Sequence, residues 1–247
     1  MRWLGHAVLA IGLTLLTQIG GLAWLIALFF KRRLLAFAVI YSALSLATLA
    51  VAPSFGRVPL PCGPSGELRS QSWLYCAMHR HYVTPELRAL ALQFAREMDR
   101  QHPGTVTQTL DAGFPFWDEF PLLPHISHDD GRKLDLALYY TDQTGTCLPH
   151  ETRSPIGYWA FEDGPSRCPP QWLSLRWDLT WLQRLWPNRP LDEERTATAL
   201  RLLVNDARVS RLFVEPHLAD RLGVQGARLR FQGCRAARHD DHIHIQL

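Results

Sequence analysis

The sequence lacks the short motifs that mark several large enzyme classes. It contains no His-Glu-x-x-His pair, no Gly-x-Ser-x-Gly elbow and no phosphate-binding P-loop, which excludes the usual signatures of zincins, serine hydrolases and nucleotide hydrolases. None of its five cysteines forms a Cys-x-x-Cys pair, so neither a zinc ribbon nor a thioredoxin-like motif is supported. The chain also lacks internal repeats and low-complexity segments, and its 247 residues suffice for one large domain or two small ones.

Acidic residues are missing from the first 55 positions. The whole chain has 26 Lys and Arg and 23 Asp and Glu side chains, but residues 1–55 hold four basic side chains and no acidic one. The remaining residues therefore carry 22 basic and 23 acidic side chains, close to neutrality. Such a balance gives no electrostatic attraction to nucleic acid, and we expect no nucleic-acid partner.

What the N-terminal segment does contain is two long uncharged runs. Trp3 to Phe30 is a run of 28 residues without a charged side chain, and Leu34 to Val51 is another of 18. Because about 20 apolar residues cross the hydrocarbon core of a bilayer, the sequence predicts two transmembrane helices within a membrane anchor at residues 1–52. The alternative is a buried helical hairpin in a soluble core, but the turn between the runs, Lys31 to Arg33, is unusually basic for that.

The basic turn also predicts an orientation. The positive-inside rule places it in the cytoplasm, so residues 53–247 are expected in the periplasm or outside the cell. Arg2 opposes this orientation with a single charge. Ala50-Val51-Ala52 resembles a signal-peptidase site, and cleavage there would export the same residues.

The five cysteines suit an oxidising compartment, where they can pair. The local pairings are Cys62 with Cys76 and Cys147 with Cys168, each closing a loop rich in Pro and Gly, with Cys234 left over. Spacing alone does not fix the connectivity.

The rest of the chain is predicted to be an α+β domain. Residues 53–72 are rich in Pro, Gly and Ser and read as a linker, and residues 73–247 form the domain, with a cysteine-containing insertion at about 141–170 that could border a substrate cleft. Alternation of short strands with helices favours a small antiparallel sheet with flanking helices. The predicted helices are Thr84 to Met98 with Thr84 as N-cap, Gln171 to Trp186, Leu191 to Asp206 and a short one near Glu215 to Leu222. The predicted strands are Thr105 to Leu110, Leu134 to Tyr140, Arg211 to Val214, Ala227 to Phe231 and His242 to Leu247.

Five of the 11 histidines fall into two short clusters that also contain aspartates. The clusters hold His125, His128 and Asp135, and then His239, His242 and His244. His242 and His244 are two apart and share one face of a strand. Two histidines with one carboxylate make a three-ligand catalytic zinc shell that leaves a fourth position for water. Taken singly, a His-x-His pair on an edge strand is more often a surface feature, and only the two clusters together favour a metal site.

The same two stretches carry a resemblance to a known family. "HISHDDGRKLD" resembles the His-x-x-His-x-x-Gly-x-x-x-Asp motif of the penicillin-insensitive murein endopeptidases, and "HDDHIHIQL" resembles their His-x-x-His-x-His ending. The segment Asn205 to Gly223 is similar to the stretch before their last strand, and the resemblance covers roughly residues 75–140 and 195–247. These enzymes belong to a group of zinc peptidases, all sharing one fold, that includes lysostaphin-type and D-Ala-D-Ala peptidases and the hedgehog domain.

The resemblance implies a site and a reaction. It makes His128, Asp135 and His244 the zinc ligands and His242 the group that handles the proton of the attacking water. It also implies that His239 and His125 line the site, where they would orient the substrate or the metal-bound water. The implied activity is hydrolysis of peptidoglycan peptides, as an endopeptidase or a carboxypeptidase-like enzyme, by a protein of the bacterial inner membrane whose domain lies in the periplasm.

The chain departs from the family pattern at several positions. Lys133 stands where the family tends to have an acid, and Gln246 stands where it has an arginine. Asp240 and Asp241 are additional acids. The resemblance makes Asp241 the second candidate for general base, because it lies three residues before His244, where the D-Ala-D-Ala peptidases place a catalytic glutamate. These departures leave open a second hypothesis, a zinc-containing domain without catalysis that binds cell-wall peptides or a membrane partner. In a third, the histidines have only a structural role.

Overall fold

The computed structural model describes residues 2–169, 171–177 and 179–247. The chain divides into two compact units. The first comprises Met1–Leu60, Trp73–Arg88 and Asp111–Lys133, and the second comprises Pro61–Ser72, Ala89–Leu110 and Leu134–Leu247. The helices are α1 (Arg2–Thr17), α2 (Gly20–Ala27), α3 (Arg33–Val51), α4 (Trp73–Ala77), α5 (Pro85–Gln101), α6 (Thr180–Gln183), α7 (Glu193–Asn205) and α8 (Pro216–Arg221). The strands are β1 (Val58–Pro59), β2 (Leu68–Ser70), β3 (Tyr82–Val83), β4 (Thr107–Thr109), β5 (Lys133–Ala137), β6 (Arg211–Phe213), β7 (Leu229–Arg230) and β8 (His242–Gln246).

The first uncharged run is two helices rather than one. Between α1 and α2 the chain turns at Gln18, whose φ of 62° lies in the left-handed region and cannot continue a helix. The hydroxyl of Thr17 accepts a hydrogen bond of 2.8 Å from the amide of Gly20, which closes the turn. The two helices have 16 and 8 residues, each short of the roughly 20 that span a bilayer.

The prediction of two transmembrane helices is therefore wrong for the described residues. Among the described residues, only the helical stretch Arg33–Phe55, 23 residues long, is long and apolar enough to cross a membrane. Almost none of it is buried within the protein. A signal sequence meets the same criteria of length and composition, so this single N-terminal helix could be either a signal or an anchor.

The rest of the first unit is a small antiparallel sheet with helical turns. β1 pairs with β3, with Val58 opposite Val83. α5 begins directly after Thr84, whose hydroxyl accepts a hydrogen bond of 3.4 Å from the amide of Leu87. The predicted N-cap is thereby confirmed, since a threonine hydroxyl is a good acceptor for the otherwise unpaired amides of a first helical turn.

The second unit contains a six-stranded mixed sheet with the strand order β2-β4-β5-β8-β6-β7. β4 runs antiparallel to β5 and β6 runs antiparallel to β8, while β2 and β4 are parallel, as are β6 and β7. The α+β class with a small antiparallel sheet is confirmed, and the larger mixed sheet is an addition to it. β1 and β2 both lie in the Pro-, Gly- and Ser-rich stretch 53–72.

One predicted helix is mostly absent. Of Gln171 to Trp186, only Thr180–Gln183 is helical, while Pro170 and Asp178 lie outside the described residues. The segment is held by contacts with other parts of the chain. The two terminal nitrogens of Arg176 donate hydrogen bonds of 3.0 and 2.9 Å to the two carboxylate oxygens of buried Glu215. Its neighbour Leu175 donates a backbone hydrogen bond of 2.9 Å to Arg235. These tertiary contacts hold the segment as a loop.

The disulfides differ from the local pairing. Cys168 is bonded to Cys234 across a sequence separation of 66, and Cys147 is free, so the predicted pair of Cys147 with Cys168 is wrong. Cys62 and Cys76 are also disulfide-bonded. Two disulfides are typical of an oxidising compartment.

Acid is expected to destabilise the protein through His81, which is 6% exposed. Burial, together with a smaller effect of nearby His79, lowers the pKa of His81 to about 4. The lowered pKa means that the folded state binds a proton at His81 more weakly than the unfolded chain does. Above pH 6.5 the imidazole is neutral in both states and does not change the free energy of unfolding. The free energy of unfolding then falls by about 3 kcal/mol as the pH drops from 6.5 to about 4.

Urea unfolding of the full chain in detergent micelles over this pH range tests the prediction. His81→Gln should remove this part of the pH dependence, and the matched variant His150→Gln, at an exposed histidine, should not. An equal pH dependence in the wild type and His81→Gln would contradict it.

Candidate metal and catalytic site

The candidate site lies on two neighbouring central strands of the second unit. β5 places Asp135 between Leu134 and Leu136, and β8 alternates His242 and His244 with isoleucines. Because successive side chains of a strand point to opposite faces, the apolar residues belong to one face and the polar ones to the other. All of them are buried, with Asp135, Leu134 and Ile243 at 0% exposure. The sequence pattern thus builds an apolar core on one face and a polar centre on the other.

Asp135 is the centre of the hydrogen-bond network. Its Oδ1 lies 2.7 Å from Nδ1 of His244 and 3.7 Å from Nε2 of His242. Its Oδ2 accepts a hydrogen bond of 2.6 Å from the hydroxyl of Tyr158. The second ring nitrogen of His244 lies 3.0 Å from the side-chain amide of Gln246. A carboxylate with no exposure needs such partners, because burying an unpaired charge is costly.

A second carboxylate holds His242 from the other side. Nδ1 of His242 lies 2.5 Å from Oδ1 of Asp241, and Oδ2 of Asp241 accepts a hydrogen bond of 2.6 Å from the backbone amide of Trp159. Both oxygens of Asp241 are therefore engaged, and the imidazole has a fixed orientation. Burial lowers the pKa of His242, but Asp135 and Asp241 more than offset this and raise it to about 9. The ring is thus strongly basic while both carboxylates are charged.

The remaining predicted residues of this stretch have different surroundings. The ring of His239 lies 4.9 Å from that of His242 and 5.5 Å from that of His244, measured between centroids. Asp240 pairs instead with Arg238, at 3.0 Å from its Nε. Burial raises the pKa of Asp240 despite that guanidinium. Asp240 is therefore a structural partner of Arg238, whereas Asp241 contacts the imidazole of His242.

His125 and His128 lie in the first unit. His128 is 1% exposed, and its Nδ1 lies 2.7 Å from the carbonyl oxygen of Ala112, which can only accept, so Nδ1 carries the proton. The two imidazole rings are 5.8 Å apart between centroids. His125 contacts Asp111, with Nδ1 at 2.7 Å from Oδ2. Of the site residues predicted from the sequence, His125 and His128 therefore lie in the first unit. Asp135, His239, Asp241, His242 and His244 lie in the second unit.

Sequence reasoning missed several residues of this arrangement. Tyr158 and Trp159 come from the insertion at about 141–170, where no periodicity or motif marks either one. Asp111 was missed together with its partner Arg80. An aspartate directly after the strand predicted at Thr105 to Leu110 was the available signal, because strand ends often carry functional side chains.

The donor set fits a metal ion. The described residues include groups of His, Asp and Cys side chains whose ligand atoms lie within 4.8 Å of one another, and such groups could bind one. One group lies wholly within the second unit and consists of buried His239, His242 and His244. Imidazole nitrogen and carboxylate oxygen are ligands that zinc accepts, although other divalent metals accept them too.

Comparison with known proteins does not identify a family for this chain. A scan against protein-family models finds no match, and neither does a search of the curated proteins. The function is therefore inferred from the residues and their geometry.

Proposed function

We propose that the chain is a zinc metallopeptidase that hydrolyses peptide cross-links of peptidoglycan. One observation carries the proposal: buried Asp135 contacts Nδ1 of His244 and faces Nε2 of His242 on the neighbouring strand. Polar side chains are rarely gathered at the centre of a sheet unless they bind or catalyse. The resemblance of both histidine stretches to the murein endopeptidases supports the same chemistry.

The proposed zinc ligands are His128, Asp135 and His244. His128 suits the role because its Nδ1 proton is donated to the carbonyl of Ala112. That hydrogen bond fixes the tautomer and leaves Nε2 as the nitrogen able to bind a cation, an arrangement typical of metal-bound histidines. The ring of His244 is positioned by Gln246, whose side-chain amide nitrogen lies 3.0 Å from its second ring nitrogen.

Bound zinc would lower the pKa of its water to about 7 and polarise the scissile carbonyl. The chain's own residues then handle the proton. His242 is the proposed proton carrier, taking the proton of the attacking water and passing it to the leaving amine. Asp241 orients its ring. A divalent charge next to Asp135 would weaken the field that raises the pKa of His242, which brings the imidazole closer to the neutral pH range.

The other histidines and the N-terminal helix complete the proposal. His239 and His125 would orient the substrate beside the reacting bond. The helical stretch Arg33–Phe55 would anchor the protein in the bacterial inner membrane, with residues 53–247 in the periplasm. The two disulfides support an oxidising location of this kind.

Metal removal tests the function directly. The full chain, purified in detergent without added metal, should contain zinc in stoichiometric amount and convert dimeric muropeptides to monomers, as read by mass spectrometry. Removal of the zinc with a chelator should stop the formation of monomers, because the proposed ligands then hold no metal ion. Adding zinc back should restore cleavage. Products that persist after the zinc is lost would rule out the mechanism.

A second candidate function is a zinc domain that binds cell-wall peptides without cutting them. Lys133 favours it, since this residue replaces a family acid and its ammonium is held by Asp129 and Asp130 at 2.9 Å each. The same experiment separates the two functions. A zinc-loaded protein that binds muropeptides but releases no product would establish the binding function.

A further inference from the structure

Tyr158, a residue of the insertion at about 141–170, contacts two residues at the centre of the candidate site. Its hydroxyl donates a hydrogen bond of 2.6 Å to Oδ2 of Asp135. Its ring packs edge-on against the imidazole of His242, with 5.0 Å between the centroids and 79° between the planes. Tyr158 is buried, and a buried tyrosine hydroxyl needs a hydrogen-bond partner. The contact therefore belongs to the interior of the second unit.

The two oxygens of Asp135 face different groups. Oδ1 lies 2.7 Å from Nδ1 of His244 and 3.7 Å from Nε2 of His242. Oδ2 lies on the side of Tyr158 and accepts from its hydroxyl. A hydrogen bond to a carboxylate is stronger than one between neutral groups, and a rotation that exchanged the two oxygens would break it. Tyr158 therefore keeps Oδ1 on the side of the two imidazoles.

The backbone on either side of Tyr158 has an uncommon conformation. Gly157 and Trp159 both lie in the left-handed region, with φ of 78° and 58°. A Cβ at Gly157 would also collide with the side chain of Leu110. The carbonyl of Trp159 is held by a hydrogen bond of 3.0 Å from the indole nitrogen of Trp186. Strained residues other than glycine persist where the surrounding structure holds them, and they cluster at functional sites.

This short segment, residues 157–159, contacts both carboxylates of the site. Tyr158 holds Asp135 through its hydroxyl, and the backbone amide of the next residue donates a hydrogen bond of 2.6 Å to Oδ2 of Asp241. Asp241 in turn contacts Nδ1 of His242. The segment therefore orients one proposed zinc ligand directly and the proposed proton carrier through Asp241.

We propose that Tyr158 is a positioning residue that holds Oδ2 of Asp135, so that this carboxylate offers only Oδ1 to the metal ion. The inference rests on the proposed function for the presence of the ion, but not for the hydrolysis. A carboxylate can bind a cation through one oxygen or through both. A catalytic zinc site has three protein ligands and a fourth position for water. Because a second bound oxygen would crowd that position, the hydroxyl of Tyr158 keeps it open to water.

The visible spectrum of the cobalt(II) protein tests the inference. Cobalt(II) accepts the same imidazole and carboxylate ligands as zinc, and a four-coordinate cobalt ion absorbs visible light much more strongly than a five-coordinate one. The full chain in detergent micelles, loaded with cobalt, should show the strong absorption. Tyr158→Phe removes the hydroxyl but keeps the ring against His242, and it should show the weaker absorption because both oxygens of Asp135 can then bind. The same spectrum in both proteins, or a five-coordinate wild type, would overturn the proposal.

Kinetics of the zinc-loaded protein supply the second readout. Tyr158→Phe should lower kcat for muropeptide cleavage by about 10- to 100-fold with little change in KM, as expected when a partner of a ligating carboxylate is lost. A fall in kcat with an unchanged cobalt spectrum would show that Tyr158 acts by another route and would overturn the proposal.

The matched control is Tyr139→Phe. Tyr139 is also buried in the second unit, but its hydroxyl lies 2.9 Å from that of Thr107. This variant likewise loses a buried hydroxyl and should keep both the cobalt spectrum and kcat of the wild type. An equal change in the two variants would mean that the loss of any buried hydroxyl disturbs the fold, and the positioning role would be rejected.

The two proposals fail separately. If the wild type binds cobalt but cleaves nothing, the peptidase function is lost and the spectra still decide the role of Tyr158. If cleavage is normal and the spectra of wild type and Tyr158→Phe are identical, only the positioning role is lost. A wild type that binds no metal ion would overturn both.

Discussion

Replacing His244 with alanine is expected to abolish both zinc binding and muropeptide cleavage. The change removes one of three proposed ligands from a site in which it is 2% exposed and lies 2.7 Å from Asp135. The several kcal/mol that a metal contributes to transition-state stabilisation correspond to a loss of about 10³-fold or more in kcat/KM. Metal analysis and mass spectrometry of the digestion products measure the two effects on the same sample.

The control for this experiment is a histidine outside the site. His150→Ala removes an exposed imidazole and should retain zinc and activity. Since His244→Ala also removes one of the partners of buried Asp135, the loss of fold must be separated from the loss of metal. His244→Gln keeps a polar group in the position and should fold while still failing to bind zinc. Cleavage by a zinc-free His244→Gln protein would exclude the proposed ligand set.

His242→Ala is expected to show the second large effect, with a different signature. Zinc should remain bound, and kcat should fall by about 10²- to 10⁴-fold because the proton carrier is lost. Asp241→Asn should cost less, about 10- to 100-fold, since both Asp241 oxygens are committed to His242 and Trp159 and the residue acts by orienting the ring.

The ratio of the two losses decides which residue moves the proton. Steady-state kinetics with a dimeric muropeptide, together with zinc content, give kcat and KM for each variant. Nearly full activity in His242→Ala together with an inactive Asp241→Asn would reverse the assignment and make Asp241 the base. Asp220→Asn, at an exposed aspartate of α8, is a suitable control because its partner, Arg167, is also exposed.

The central strands could be predicted from the sequence because their pattern is local. Alternation of His and Ile marks β8, and Leu-Asp-Leu marks β5, so both strands were predicted within a few residues of their observed bounds. The proximity of Asp135 to His242 and His244 could not come from periodicity alone. It required either the pairing of β5 with β8 or the resemblance of the two stretches to a known family.

The features that could not be predicted from the sequence are set by tertiary contacts. Nothing near Cys168 indicates that its partner is 66 residues away rather than at Cys147. Tyr158 reaches Asp135 from an insertion without any periodic pattern. The interruption of the first apolar run did have a local signal, since Gln18 is a polar residue followed closely by two glycines. The length of the uncharged run, considered alone, did not reveal this interruption.

The turn at Gln18 has a consequence for how the protein could be processed. Oε1 of Gln18 accepts a hydrogen bond of 3.1 Å from the amide of Phe116. The hydroxyl of Tyr41 donates 2.5 Å to the carbonyl of Ala77. Ala52, at the proposed signal-peptidase site, has no exposure and begins a 3-10 turn. A protease that cut after Ala52 would therefore need the folded unit to open first. The released chain would lose both of these hydrogen bonds together with the segment that forms them.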